Sequence, residues 1–199
     1  MSSTNAPFGL RPAFHPSGLD RAQALANGIQ AVSTSGNVSA GYATNILKGQ
    51  PVKMNTGGYI VVAAAGDAFL GAFDGVEWTD ATGRRRVSNY WPANESVLVG
   101  SVVAYFYSDP NIVYEIQSDG TLAQTAIGDE ADLSNTTAGS TTTGLSQATL
   151  SSTLAGAGNN AQMRIVDIAP YADNAWGDSY VIVRATISKS QYQAASNAI

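Results

Sequence analysis

The chain has 199 residues, no cysteine, only 13% charged residues and a formal net charge of −5. The lack of cysteine excludes disulfides and thiolate metal sites, and the scarcity of clustered lysine and arginine argues against a nucleic-acid partner. With so few charges, the polar surface must come from serine, threonine, asparagine and glycine, which suits an all-β protein or an assembly subunit. The most apolar run, 97–107, is too short to span a bilayer, so we expect no membrane partner.

Residues 1–44 are predicted to form an extended N-terminal arm, because three prolines within the first 16 residues oppose helix formation. The side chains of Phe8, Leu10 and Phe14 have even spacing, so an extended chain would present them on one side. Arg11 would then pair with a carboxylate or carbonyl group of the partner at the edge of the contact. We expect these four residues to bind a partner surface.

Residues 45–131 carry the clearest strand signals and are predicted to form a barrel-like β core. Apolar runs alternate with glycine-, asparagine- and proline-containing turns about every 8–12 residues, a spacing typical of a small β-barrel or sandwich. Residues 161–188 are predicted to complete this core. Within them a strand would place the apolar side chains of Val181, Val183, Ala185 and Ile187 on one face.

Residues 132–160 are rich in serine, threonine and glycine, and they contain too few apolar residues to hold a core of their own. We predict a long ordered loop or an inserted excursion there. Residues 189–199 are predicted to form a polar tail.

Candidate catalytic and metal-binding groups are sparse, so we expect neither an enzyme nor a cofactor. The one histidine, His15, lies in the presumed arm, and no Gly-x-Ser-x-Gly or Ser-x-x-Lys pattern is present. Asp129, Glu130 and Asp132 cluster without the spacing of an EF-hand, which favours a solvated turn over a metal site. The Gly-x-Gly-x-x-Ala pattern at 156–161 follows a Ser/Thr tract and leads into a strand, the wrong context for dinucleotide binding.

The remaining conspicuous residues have structural explanations. Trp78, Trp91 and Trp176 are predicted to be core or interface anchors. The basic run 84–86 is predicted to be a solvated loop or a protein–protein contact.

Four blocks of the sequence resemble, in the same order, the decoration (cement) proteins that tailed bacteriophages encode beside their major capsid protein. They are NAPFGLRP at 5–12, VYEIQ at 113–117, AIGDEADL at 126–133 and GSTTTGLS at 139–146. The run KGQPV at 48–52 also resembles small β-barrels that recur in phage decoration proteins. Residues 19–45, the stretch 77–89 and the C-terminal tail depart from the family pattern.

The resemblance implies a virion structural protein, made in the host cytoplasm and located on the capsid surface. It would bind the outer face of the head and stabilise it by bridging major capsid protein subunits, without catalysis. The low charge and the abundance of serine, threonine and tyrosine suit buried subunit contacts, so we also expect self-association, as a homotrimer in preference to a dimer.

Three alternatives stay open. The first is another virion component, such as a head fibre, neck or tail protein. The second is a carbohydrate-binding module that faces the host surface, which exposed aromatic residues within 77–91 would favour. The third is an enzyme such as a glycan hydrolase, which requires two carboxylates facing each other across a cleft.

Overall fold

The computed structural model describes residues 4–18, 28–30, 38–40 and 42–193, and at 28–30 and 38–40 it describes the backbone alone. The predicted tail beyond residue 193 and much of the predicted arm between 19 and 41 lie outside these residues. Within the described residues the regular structure is strand, apart from one turn of 3₁₀ helix, Gln124–Ala126, so the all-β prediction is confirmed.

The strands, in chain order, are β1 (Arg11–Phe14), β2 (Gly28–Gln30), β3 (Val38–Ala40), β4 (Pro51–Met54), β5 (Ile60–Val62), β6 (Gly71–Thr79), β7 (Arg85–Ser88), β8 (Ser96–Leu98), β9 (Val103–Phe106), β10 (Val113–Gln117), β11 (Glu130–Ser134), β12 (Gly139–Ser140), β13 (Leu145–Ser146), β14 (Thr149–Leu154), β15 (Met163–Ile168) and β16 (Ile182–Ile187).

The first sheet has six antiparallel strands in the spatial order β1, β10, β16, β15, β11, β14. On β16 the side chains of Val183, Ala185 and Ile187 are buried and those between them are partly exposed, which is the predicted alternation. All five residues of β10 are buried, because the N-terminal segment covers the face that carries Glu115 and Gln117.

The second sheet has the spatial order β2, β9, β6, β4, β5, and β7 pairs with the far half of β6. Its apolar side chains form a second core around Trp78 and Trp91, whose rings meet edge to face with centroids 5.7 Å apart. The chain passes from this sheet to the first one at the turn 108–111, which lies within the predicted core 45–131.

The segment 69–73 forms a wall shared by the two hydrophobic cores. Phe69 and Ala72 pack into the core of the first sheet, whereas Leu70 and Phe73 pack into the core of the second. At Gly71 an added Cβ atom would lie 1.7 Å from the carbonyl oxygen of Tyr107, so only glycine lets the two backbones approach this closely.

The described part of the arm lies on its own first sheet, which corrects the expectation of one projecting face of anchors. β1 pairs with β10, and Leu10 is only 1% exposed within the first core. Gly9, with φ of 74°, and a register shift between Pro12 and Phe14 interrupt the two-residue period of the arm. Leu10 therefore turns inward, while Phe14 lies beside the outer Arg184 guanidinium at 5.3 Å.

The serine- and threonine-rich stretch 132–160 contributes strands to the first sheet, which the predicted loop or excursion did not include. It includes most of β11 and all of β14, which pair with each other through Leu133 and Leu150. Both leucines are fully buried in the first core. These two leucines are enough to attach the stretch to the first core, because the other residues of that core come from neighbouring strands.

Candidate partner-binding site

An apolar pocket of about 260 Å³, called the N-terminal pocket below, opens beside the described arm. It is lined by Phe8, Leu10, Arg11, Pro12, Lys48, Gly49, Phe73, Tyr107 and Leu145. Three of the four predicted binding residues, Phe8, Leu10 and Arg11, therefore meet at one site, and Phe14 lies outside it.

Main-chain hydrogen bonds join the segments that frame the N-terminal pocket. The Leu10 amide donates to the Gly49 carbonyl oxygen at 2.8 Å, and the Gly49 amide donates to that of Phe73 at 2.7 Å. The Lys48 amide donates to the carbonyl oxygen of Gly144 at 2.9 Å. Four distant parts of the chain are thus fixed relative to one another, and together they frame the pocket.

The lining changes from buried to exposed across the pocket. Leu10 and Phe73 are buried, Phe8 is half-buried, and the side chain of Leu145 is 45% exposed. An apolar surface that meets water in this way gains free energy when another apolar group covers it.

The first charged part of the rim is Lys48, whose Nζ lies 2.8 Å from Asp74 Oδ1. The Tyr107 hydroxyl donates to the same oxygen over 3.4 Å. Burial, together with the nearby Asp74 charge, raises the pKa of Tyr107 to about 12, so its phenol is neutral at physiological pH.

The second charged part of the rim is Arg11, whose guanidinium lies over the Phe8 ring at 4.6 Å and 2.6 Å from Glu115 Oε2. Arg184 and the Tyr171 hydroxyl also contact Glu115, at 3.5 Å and 2.6 Å. Burial alone would raise the pKa of Glu115, but hydrogen bonds from Tyr171 and Arg11 and the charges of both arginines outweigh it and lower that pKa. One carboxylate is shared by two guanidinium groups, so it does not neutralise both.

Sequence reasoning missed most of the other pocket residues. Lys48 and Gly49 lie in the KGQPV run and Leu145 lies in the GSTTTGLS block, so the resemblance already contained a signal for them. Phe73 and Tyr107 carry no such signal, because only the folded second sheet brings them beside the arm.

The one histidine belongs to a turn. Ser17 directs both its hydroxyl and its amide at His15 Nδ1, at 2.6 Å and 3.1 Å, and the turn closes with a His15–Gly18 bridge. His15 Nε2 lies 3.2 Å from Asp109 Oδ2 without the alignment of a hydrogen bond. A hydrolytic base needs a firmly oriented ring and a nucleophile facing substrate, and here the nearest hydroxyl is committed to the local turn.

The carboxylate cluster at 129–132 is not the solvated turn that its spacing suggested. Glu130 is fully buried in β11, where it accepts hydrogen bonds from Arg164 at 2.8 Å, from the Ala161 amide at 2.8 Å and from Ser188. Its burial follows from a position between β14 and β15. Among the described residues, no group of three or more His, Asp or Glu side chains is placed to hold a metal ion.

The stretch 77–91 does not present its tryptophans to solvent, since Trp78 and Trp91 are both buried, as predicted for core residues. Trp176 packs, half-buried, against the first core. The side chains of the basic run 84–86 are exposed, and Arg85 and Arg86 pair with Glu77 and Asp80 of the same hairpin.

A second pocket, of about 290 Å³, has a polar lining. Its lining residues include Asp119, Asn135, Gln147, Thr149 and the aromatic Tyr180.

No family model, curated protein or solved structure matches this chain. Within the part of the chain that the structure describes, no helix has the length and apolar character needed to cross a membrane.

Proposed function

We propose that this chain is a structural protein of a tailed-phage virion that binds the outer surface of the capsid and bridges major capsid protein subunits. The observation that carries the proposal is the meeting of separate family-like blocks at one site. The blocks 5–12 and 139–146 and the run 48–52 supply lining residues of the N-terminal pocket, and the block 113–117 holds Arg11 through Glu115.

The chemistry of this site supports binding rather than catalysis. Its lining is apolar, its two cations are held by carboxylates, and its phenol is neutral. A protein that binds only the assembled shell adds its binding free energy to the assembled state alone. Many copies on one shell add avidity when each copy touches more than one subunit.

Self-association is part of the proposal, with a homotrimer preferred and a dimer next, as is a location on the virion surface after synthesis in the host cytoplasm. Closed rotational symmetry is the usual arrangement for identical subunits. Light scattering of the purified protein measures the state directly, and a strict monomer both in solution and on the shell would contradict this part.

The copy number of the protein in purified virions tests the main proposal. Quantitative mass spectrometry against the major capsid protein should give a ratio in keeping with many surface positions. A ratio that corresponds to a single ring would favour a neck, tail or head-fibre component instead, and absence from the particle would reject a virion role.

A carbohydrate-binding role is the second candidate, and the polar second pocket with Tyr180 favours it more than the stretch 77–91 does. Sugar sites combine amide and carboxylate hydrogen-bond partners with an aromatic face. Glycan-array binding that is lost in Tyr180→Ala and Gln147→Ala variants would support this alternative.

A further inference from the structure

We propose that the N-terminal pocket receives one aromatic side chain of the major capsid protein, presented beside a carboxylate. The inference rests on the proposed function. The sequence suggested that arm side chains insert into the partner, whereas here a partner side chain inserts into a pocket of this chain. The arm residues Phe8, Leu10 and Arg11 form the receiving surface, and the partner supplies the inserted group.

The size of the pocket favours a single ring. Its volume of about 260 Å³ lies above the ~150 Å³ of an apolar cavity that holds benzene. It lies below the ~300 Å³ at which pockets begin to suit drug-sized ligands. One aromatic side chain with its methylene group and part of its backbone therefore matches this space better than a large free ligand.

The lining favours an aromatic group over an aliphatic one. Three of its lining residues, Phe8, Phe73 and Tyr107, are aromatic, and Phe73 is fully buried behind the pocket in the second core. Aromatic pairs gain about 0.5–1.5 kcal/mol beyond the area that they bury, through edge-to-face or offset contacts.

The rim favours a negative neighbour for that ring. Arg11 and Lys48 are the two charged residues of the lining, and both side chains are about half exposed to solvent. Lys48 has one carboxylate partner in Asp74, whereas Arg11 shares Glu115 with Arg184. A partner carboxylate placed over Arg11 would supply the charge that the shared Glu115 leaves unbalanced.

Small probes test the pocket without any shell. Methyl NMR spectra of the full chain are recorded with 3-phenylpropionate, with 3-phenylpropylamine and with propionate. We expect 3-phenylpropionate to shift the Leu10 and Leu145 methyl signals saturably, and about tenfold more tightly than the amine or the ringless acid. No saturable shift, or equal binding of the acid and the amine, overturns the inference.

Binding to undecorated capsid shells tests the partner. Leu145→Glu places a negative charge at the mouth of the pocket, and Val166→Glu is its matched control because Val166 is 44% exposed, close to the 45% of Leu145, and lies outside the pocket. Thermal melts establish that both variants fold. We expect Leu145→Glu to weaken shell binding by at least about tenfold and Val166→Glu to leave it unchanged.

The outcomes separate the two proposals. Equal shell binding by the unaltered chain and by Leu145→Glu overturns the pocket inference and leaves the proposed function standing. Failure of the unaltered chain to bind shells overturns the proposed function, and with it the assignment of the capsid protein as partner. Equal loss in both variants overturns the inference as well, since the effect would then be one of general charge.

Discussion

Replacing Gly9 with alanine should detach the N-terminal segment from the body of the protein. Gly9 has φ of 74°, and an added Cβ atom would lie 2.6 Å from the Gly49 carbonyl oxygen and 2.8 Å from Ser146 Cβ. Gly158 provides a matched control, because its φ is 80° and an added Cβ atom would meet no atom within 4 Å.

Both substitutions incur the free-energy cost of a left-handed backbone conformation, but only one also incurs a steric cost. A left-handed conformation costs a non-glycine residue about 1–2 kcal/mol, and both variants bear that cost. Overpacking a well-filled site typically costs a further 1–3 kcal/mol or so, and only Gly9→Ala bears it. We therefore expect the free energy of unfolding to fall by about 2–5 kcal/mol for Gly9→Ala and by about 1–2 kcal/mol for Gly158→Ala.

Urea unfolding of the full chain measures both differences, and hydrogen exchange locates the damage. The Leu10 amide, which donates to the Gly49 carbonyl oxygen, should exchange faster in Gly9→Ala and at an unchanged rate in Gly158→Ala. If the two variants lose equal stability and keep equal Leu10 protection, the close contact between residue 9 and the 49–146 region is refuted.

Two further predictions concern the first sheet. Leu133→Ala should lower the free energy of unfolding by about 2–5 kcal/mol, because Leu133 is fully buried. Leu145→Ala, at the exposed edge of the N-terminal pocket, should change it by less than about 1 kcal/mol. Similar urea midpoints for the two variants would contradict a core role for 132–160. The lowered pKa of Glu115 means that its stabilising contribution is fully present above the ordinary glutamate pKa and is lost as the pH falls through the lowered value. Urea midpoints measured between about pH 7 and pH 3 should therefore fall less steeply for Glu115→Gln than for the unaltered chain, and parallel curves would contradict the Arg11–Glu115–Arg184 linkage.

The sequence predicted those features that depend on local pattern. Alternation along β16 and the turn signals between 45 and 120 correctly indicated a β protein with one buried face per strand. The burial of Trp78 and Trp91 followed from their size and apolar character.

The features that were predicted wrongly depend on pairing between distant segments of the chain. Even spacing placed Phe8, Leu10 and Phe14 on one face. The left-handed Gly9 before Leu10 and the register shift before Phe14 break that pattern, and both are set by contacts with residues 49, 113 and 146. The burial of Glu130 likewise results from β14 and β15, which pair with β11 on its two sides. The sequence spacing of Glu130 to Asp129 and Asp132 does not indicate these neighbouring strands. The pocket was predictable only in part, because Phe73 and Tyr107 reach it through the second sheet.

The position of β16 between β10 and β15 has a consequence for how the chain is made. On the ribosome, β1, β10, β11, β14 and β15 all emerge before residues 182–187, so until then β10 and β15 each lack the strand that pairs with their facing edges. Unpaired strand edges on a partly folded chain are sites of aggregation. A ribosome that stops before β16 therefore releases a product with two such edges, and the last strand of the sheet to be translated is the one that pairs with both.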